Sequence, residues 1–161
     1  MLPALRHGAG DQRGDTPRRR WLPCDRSAFA VKAPLIGIDL IEPERLRARL
    51  ESRPALAAKL FHPGERSYCE RTSKPEQHLA ARFSAKEAVV KALGLAALEP
   101  LDIEVVGGGD SCGVRLHGAA ARRARELGLR VTISLTHVDG VAGAVAVALP
   151  EDAPARTDHL P

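Results

Sequence analysis

Between residues 35 and 150 the chain alternates short apolar runs with stretches of helical period, and outside those limits no period persists. LIGIDLI, 35–41, is rich in Ile and Leu and of strand length, which predicts a buried strand. Glu42-Pro43 then opens a helix, ERLRARLESR (44–53), with Pro in its first turn, and Pro54 interrupts it. LAAKLF leads into HPGERSYC, which reads as a turn and a short helix. Pro75 opens a long helix over 76–93, with Gly94 as its C-terminal cap. LDIEVV, 101–106, is a second strand, and GGGDSCG is a turn into VRLHG. GAAARRARELG predicts a helix ending at Gly128. RVTISLTH and VAGAVAVAL predict two strands joined through Val-Asp-Gly as a hairpin. Strands and helices without regular βαβ alternation imply an α+β fold, with the long helix packed on a small, mainly antiparallel sheet.

The long helix raises a question of charge. At 100° per residue Leu79, Phe83, Val90 and Leu93 form one apolar stripe, and Lys86 falls inside it. Ala81, Ala85, Ala88, Val89 and Ala92 cover much of the remaining surface. A helix apolar nearly all round sits in a core, where an unpaired charge costs several kcal/mol. Glu87 and Lys91 are spaced i, i+4, and a surface ion pair worth about 0.3–0.5 kcal/mol would account for them alone. Arg82 and Lys86 have the same spacing but repel, unless an anion lies between them. Asp39 lies within the strand LIGIDLI, where it either caps the following turn or needs a cation. Asp39 and Glu87 on separate elements, with several cations beside them, suit a Mg²⁺–phosphate site, since Mg²⁺ takes one or two carboxylates and fills its shell with water and phosphate oxygens.

Composition narrows the field. The chain has 161 residues, enough for one domain with its own core. Aromatics make up 3%, too few for base-stacking platforms, so Ala, Val and Leu must fill the core. No apolar run approaches the length of a membrane-spanning helix. Cys24, Cys69 and Cys112 have neither metal-ligand nor redox spacing, which suits a reducing cytoplasm. Residues 1–34 carry Arg6, Arg13, Arg18, Arg19, Arg20, Arg26 and Lys32 among Gly, Pro and Asp, and are expected to form a disordered basic extension. The tail 151–161 is expected to be unstructured as well. His137 follows Ser-Leu-Thr at a strand end, where function often collects, while His62 reads as a loop residue. His78 and His117 have no partner spacing, and the glycines 107–109 do not precede a helix as a phosphate-binding loop would.

GIDLIEPER (37–45), LAARFSAKEAVVKALG (79–94) and ISLTHVDGVAGAVAVAL (133–149) follow one another in order. Together they resemble the holo-acyl-carrier-protein synthases, the short bacterial 4′-phosphopantetheinyl transferases, over about residues 35–150. The resemblance implies transfer of 4′-phosphopantetheine from coenzyme A to a serine of an acidic acyl carrier protein. Adenosine 3′,5′-bisphosphate would be the other product. It also implies Mg²⁺ dependence, a homotrimer with active sites between subunits, and a place in fatty acid biosynthesis and lipid metabolism. By motif match Asp39 and Glu87 would hold the metal, and Glu87 and Lys91 would carry catalysis. Arg82, Lys86, Lys91 and His137 would contact coenzyme A. Arg45, Arg49 and Arg53 would face the acidic carrier. Two other classes compete: an inactive carrier-binding module of the same fold, and a basic nucleic-acid-binding domain using 13–20 and 44–53. The second explains neither Asp39 nor Glu87.

Overall fold

The computed structural model describes residues 34–153, so the basic extension up to residue 33 and the tail from residue 154 lie outside the described residues. Ten regular elements follow in order: β1 (Leu35–Ile41), α1 (Pro43–Ser52), α2 (Leu56–Leu60), α3 (Pro63–Glu70), α4 (Pro75–Leu93), β2 (Ile103–Val106), β3 (Gly113–Leu116), α5 (Gly118–Leu127), β4 (Leu129–Val138) and β5 (Val141–Pro150). The strands form two antiparallel sheets, one of order β1-β5-β4 and one pairing β2 with β3. This is the α+β arrangement that the pattern predicts. Two local readings change. LAAKLF forms α2, and LDIEVV starts as a 3₁₀ turn, Pro100–Asp102, before the strand begins at Ile103.

α4 lies against the three-stranded sheet, and small residues set how closely. Ala142, Ala144, Ala146 and Ala148 of β5 are buried, as are Ala85, Ala88 and Ala92 of α4. Gly37 of β1 is the tightest point: a Cβ there would stand 2.0 Å from the Ala88 carbonyl oxygen and 2.7 Å from the Ala92 nitrogen. No side chain can occupy that space, so glycine is what lets helix and strand approach. The helix ends where Gly94 takes the left-handed conformation, φ 62°, with the Leu95 N–H donating to the Val90 carbonyl at 3.0 Å. At the other end of the hairpin register, Gly140 (φ 84°) turns β4 into β5.

Alternation along the strands then sorts the residues by face. Gly37, Asp39 and Ile41 share the face of β1 that meets α4, because Gly37 and its partner Ala146 are both buried there. Ile36, Ile38 and Leu40 point the other way and are 65%, 58% and 65% exposed, a run of apolar side chains on an uncovered sheet face. At one end of α4 a second core forms from Leu46, Phe61, Ala80, Ala81 and Ala142, which seats α1 and α2 beside the long helix.

Candidate functional site

Gly37 brings β1 close to α4, and two residues later Asp39 meets the helix. Asp39 Oδ2 accepts from Ser84 Oγ at 3.0 Å, and its Oδ1 accepts from Lys91 Nζ at 2.8 Å. Lys91 Nζ also donates to the Ile38 carbonyl at 3.0 Å, so the ammonium bridges strand and helix rather than pairing with Glu87 one turn back. Glu87 stands beside this pair. Burial first, and then the Asp39 charge, push its carboxyl above the ordinary value, with Lys91 acting in the opposite sense. Two carboxylates that repel each other at a partly buried spot, with a lysine bound to one of them, form an oxygen donor set suited to a hard divalent cation.

Asp39 and Glu87 line a cleft of about 840 Å³, and Arg45, Arg49 and Arg53 line the same cleft. The spacing of the three arginines along α1 and its C-cap explains this, since residues four apart share a helix face. Arg47, on another face, is tied to Glu44 and Glu51. Among the described residues Arg45, Arg49 and Arg53 form no ion pair, so their charge is available to an acidic partner.

Lys86 corrects an expectation. Its anion is the protein's own: the side chain is fully buried, and Nζ donates to the Glu65 carboxylate (Oε2) at 2.8 Å, to the Pro100 carbonyl at 2.8 Å and to the Ile103 carbonyl. Glu65 is equally occupied, accepting from the His62 N–H at 2.9 Å and the Val105 N–H at 3.2 Å. A primary ammonium has three hydrogens to give, and all three are given inside the protein. Lys86 is therefore a buried clamp across α3, α4 and the start of β2, and no phosphate can reach it.

Arg82 is tied in a similar way. Its Nη1 and Nη2 donate to the Val105 carbonyl at 3.0 Å and the Gly107 carbonyl at 2.7 Å, and its guanidinium lies 4.3 Å from the centre of the Tyr68 ring. The like charges of Arg82 and Lys86 are thus each satisfied within the protein, Arg82 by carbonyls and Lys86 by carbonyls and the Glu65 carboxylate. Arg82 still forms part of the wall of a second cavity, of about 750 Å³, together with Tyr68, His78, Thr132, Ser134 and His137. The two cavities share no lining residue, so within one chain His137 and the carboxylate pair belong to different cavities.

Sequence spacing misses two groupings. His78 comes within 4.8 Å of His137 and 5.9 Å of Tyr68, measured between ring centres, because β4 runs past the start of α4. Elsewhere His117 Nε2 lies 3.0 Å from Glu104 Oε2, which also accepts from Arg115, and His62 caps α3 instead of sitting in a loop. No short-range pattern announces either set; only the apolar periods, by fixing which elements meet, hold the information.

Comparison with known proteins gives one result throughout. The sequence model of the 4′-phosphopantetheinyl transferase superfamily matches residues 35–146. The holo-(acyl-carrier-protein) synthase of Moorella thermoacetica is 45% identical over 115 residues, covering 69% of this chain and 90% of that protein. Among solved structures, the acyl carrier protein synthase of Mycobacterium tuberculosis aligns with a TM-score of 0.55 at 34% identity, over 72% of this chain and 96% of that one. The Bacillus anthracis holo-(acyl-carrier-protein) synthase, solved in complex with CoA (3′,5′-ADP), aligns with a TM-score of 0.58 at 26% identity, again over 72% and 96%. The chain belongs to the holo-(acyl-carrier-protein) synthases of the 4′-phosphopantetheinyl transferase superfamily.

Proposed function

We propose that this protein transfers the 4′-phosphopantetheine group of coenzyme A to a serine of an apo acyl carrier protein, with Mg²⁺ held by Asp39 and Glu87. The observation that carries the reading is the carboxylate pair in a cleft lined by three arginines that form no ion pair among the described residues. The serine oxygen bonds to the β-phosphorus of the pyrophosphate, and the bond from that phosphorus to the bridging oxygen breaks, releasing adenosine 3′,5′-bisphosphate. Glu87 takes the serine proton, a task that suits a carboxylate whose proton affinity is raised by its surroundings. Lys91, half-exposed and anchored on Asp39, offers its ammonium to the phosphates. When bound, Mg²⁺ would neutralise charge gathering on the pyrophosphate oxygens. Ser84 holds Asp39 in orientation.

The nucleotide part of coenzyme A fits the second cavity, beside Arg82 and His137. Because that cavity and the carboxylate cleft share no residue, a homotrimer that sets one subunit's cleft against a neighbour's His137 would complete the site. The uncovered face of Ile36, Ile38 and Leu40 supports such an assembly, since exposed apolar runs of this kind mark interaction surfaces. Light scattering should read three chains, and Ile38→Asp should dissociate them and abolish turnover. No described helix is long and apolar enough to cross a membrane, and Cys69 and Cys112 are free thiols, which fits a cytoplasmic enzyme of fatty acid biosynthesis.

The direct test is intact mass of an apo carrier protein incubated with coenzyme A and Mg²⁺. A gain of one phosphopantetheine group is expected; an unmodified carrier that still binds would leave an inactive module instead. In the same assay Arg45→Glu or Arg49→Glu should raise the apparent KM for carrier about fivefold, as a rim ion pair worth up to ~1 kcal/mol allows. The defect should shrink as salt screens the charge, and the KM for coenzyme A should not move. Parent-like carrier KM at low ionic strength would reassign the helix to a solvated face.

A further inference from the structure

We propose that His78 is a ligand-binding residue of the second cavity, and that it shares a proton-linked anion site with His137, so that the phosphorylated nucleotide of coenzyme A binds with uptake of a proton. The inference rests on the placement of that nucleotide in this cavity and adds a residue and a proton to it.

The geometry comes first. His78 enters from the first turns of α4 and His137 from the end of β4, and their rings meet edge to face with centres 4.8 Å apart. Both line the cavity, together with Arg82 of α4 and Tyr68 of α3. Two imidazoles this close to one guanidinium cannot all carry charge in the empty cavity without repelling one another. The free protein therefore disfavours a proton on His78. Burial first, then the charges of His137 and Arg82, hold the His78 imidazole below its ordinary value, with Glu76 alone acting in the opposite sense. The other groups that face the cavity do not relieve this. Tyr68 is turned to Arg82, and burial pushes the Cys112 thiol up and so keeps it neutral; outside the lining, Lys74 and Asp139 pair with each other at 3.1 Å.

A phosphomonoester reverses the balance. It brings two negative charges at neutral pH against three basic groups, so the imidazole that was disfavoured as a cation becomes favoured. By linkage, a site that binds a proton only when the anion is present binds that anion more tightly as pH falls. The chemistry asked of the ligand is a terminal phosphate, which coenzyme A has on its ribose and dephospho-coenzyme A lacks.

The experiment is calorimetric titration of the full chain with coenzyme A and with dephospho-coenzyme A, at pH 7, in buffers of different ionisation enthalpy. Coenzyme A should bind with uptake of a substantial fraction of a proton, and dephospho-coenzyme A with much less. His78→Phe, which keeps an aromatic ring against Tyr68 and His137, should bind coenzyme A about tenfold more weakly at pH 6 and lose most of the uptake. Binding without uptake, or uptake unchanged in His78→Phe, overturns the proton linkage and leaves the site reading intact. No binding of coenzyme A by the parent chain overturns both.

Discussion

Glu87→Gln should lose turnover by at least about 10²-fold and yet melt at a higher temperature than the parent when divalent cations are absent. In the proposed reaction the loss follows from removing a charge at the reacting phosphates, where one such group is typically worth ~10²–10³ in rate. The gain follows from the sign of the Glu87 shift. Folding raises its carboxyl above 4.5, so the stability linked to it is fully present below that value and is lost as pH rises through the higher folded one. At neutral pH the folded protein thus holds a carboxylate against its preference, beside Asp39, and glutamine removes that penalty. The difference in melting temperature should narrow as pH falls below 4.5. Mg²⁺ should raise the melting temperature of the parent and leave the variant unmoved. Asp39→Ala should lose activity to the same degree with no gain in stability, because Ser84 and Lys91 lose their acceptor. Near-normal turnover of either variant at saturating Mg²⁺ would remove both residues from the metal site.

The cleft that Asp39 and Glu87 share joins two positions that stand out in the sequence as local anomalies. One is a carboxylate inside an apolar strand, and the other is an acid on a helix with almost no polar face. The β4–β5 hairpin and the packing of α4 on the sheet were legible for a related reason: Val-Asp-Gly marks the turn, and a helix apolar nearly all round has to lie in a core. Lys86 is the same kind of anomaly with a different answer. Its partner Glu65 is 21 residues away on another helix, and the carbonyls it binds come from a 3₁₀ turn that no period announces and from the first residue of β2. A charge in an apolar stripe signals that a partner exists without saying whether it is protein or ligand. His78 and His137 show the limit from the other direction, since neither is anomalous in its own segment and only the passage of β4 beside α4 joins them. Five-residue α2 lay below the length at which a helical period can be read.

Lys86→Met should be the most damaging single change outside the reaction site, and its damage should be to stability. The ammonium satisfies a buried carboxyl group and two carbonyls at once, and taking it away leaves Glu65 with only backbone donors. Breaking a buried pair from one side costs about 3–5 kcal/mol, which for a domain of this size lowers the melting temperature by on the order of 10 °C or more. Lys86→Arg should not rescue it, because a planar guanidinium cannot aim three donors at a carboxylate and two carbonyls placed for one nitrogen. Replacing both partners, Glu65→Leu with Lys86→Met, should recover part of the loss. It cannot recover all, since the Val105 and His62 N–H groups then lack their acceptor, at about 1–3 kcal/mol for each that stays dry. Below its melting point the Lys86→Met protein should keep the KM of the parent for coenzyme A. A phosphate contact would give the reverse, a raised KM for coenzyme A with the melting temperature within about 2 °C of the parent. Thermal melts set beside initial rates at a temperature where both chains are folded would decide between them.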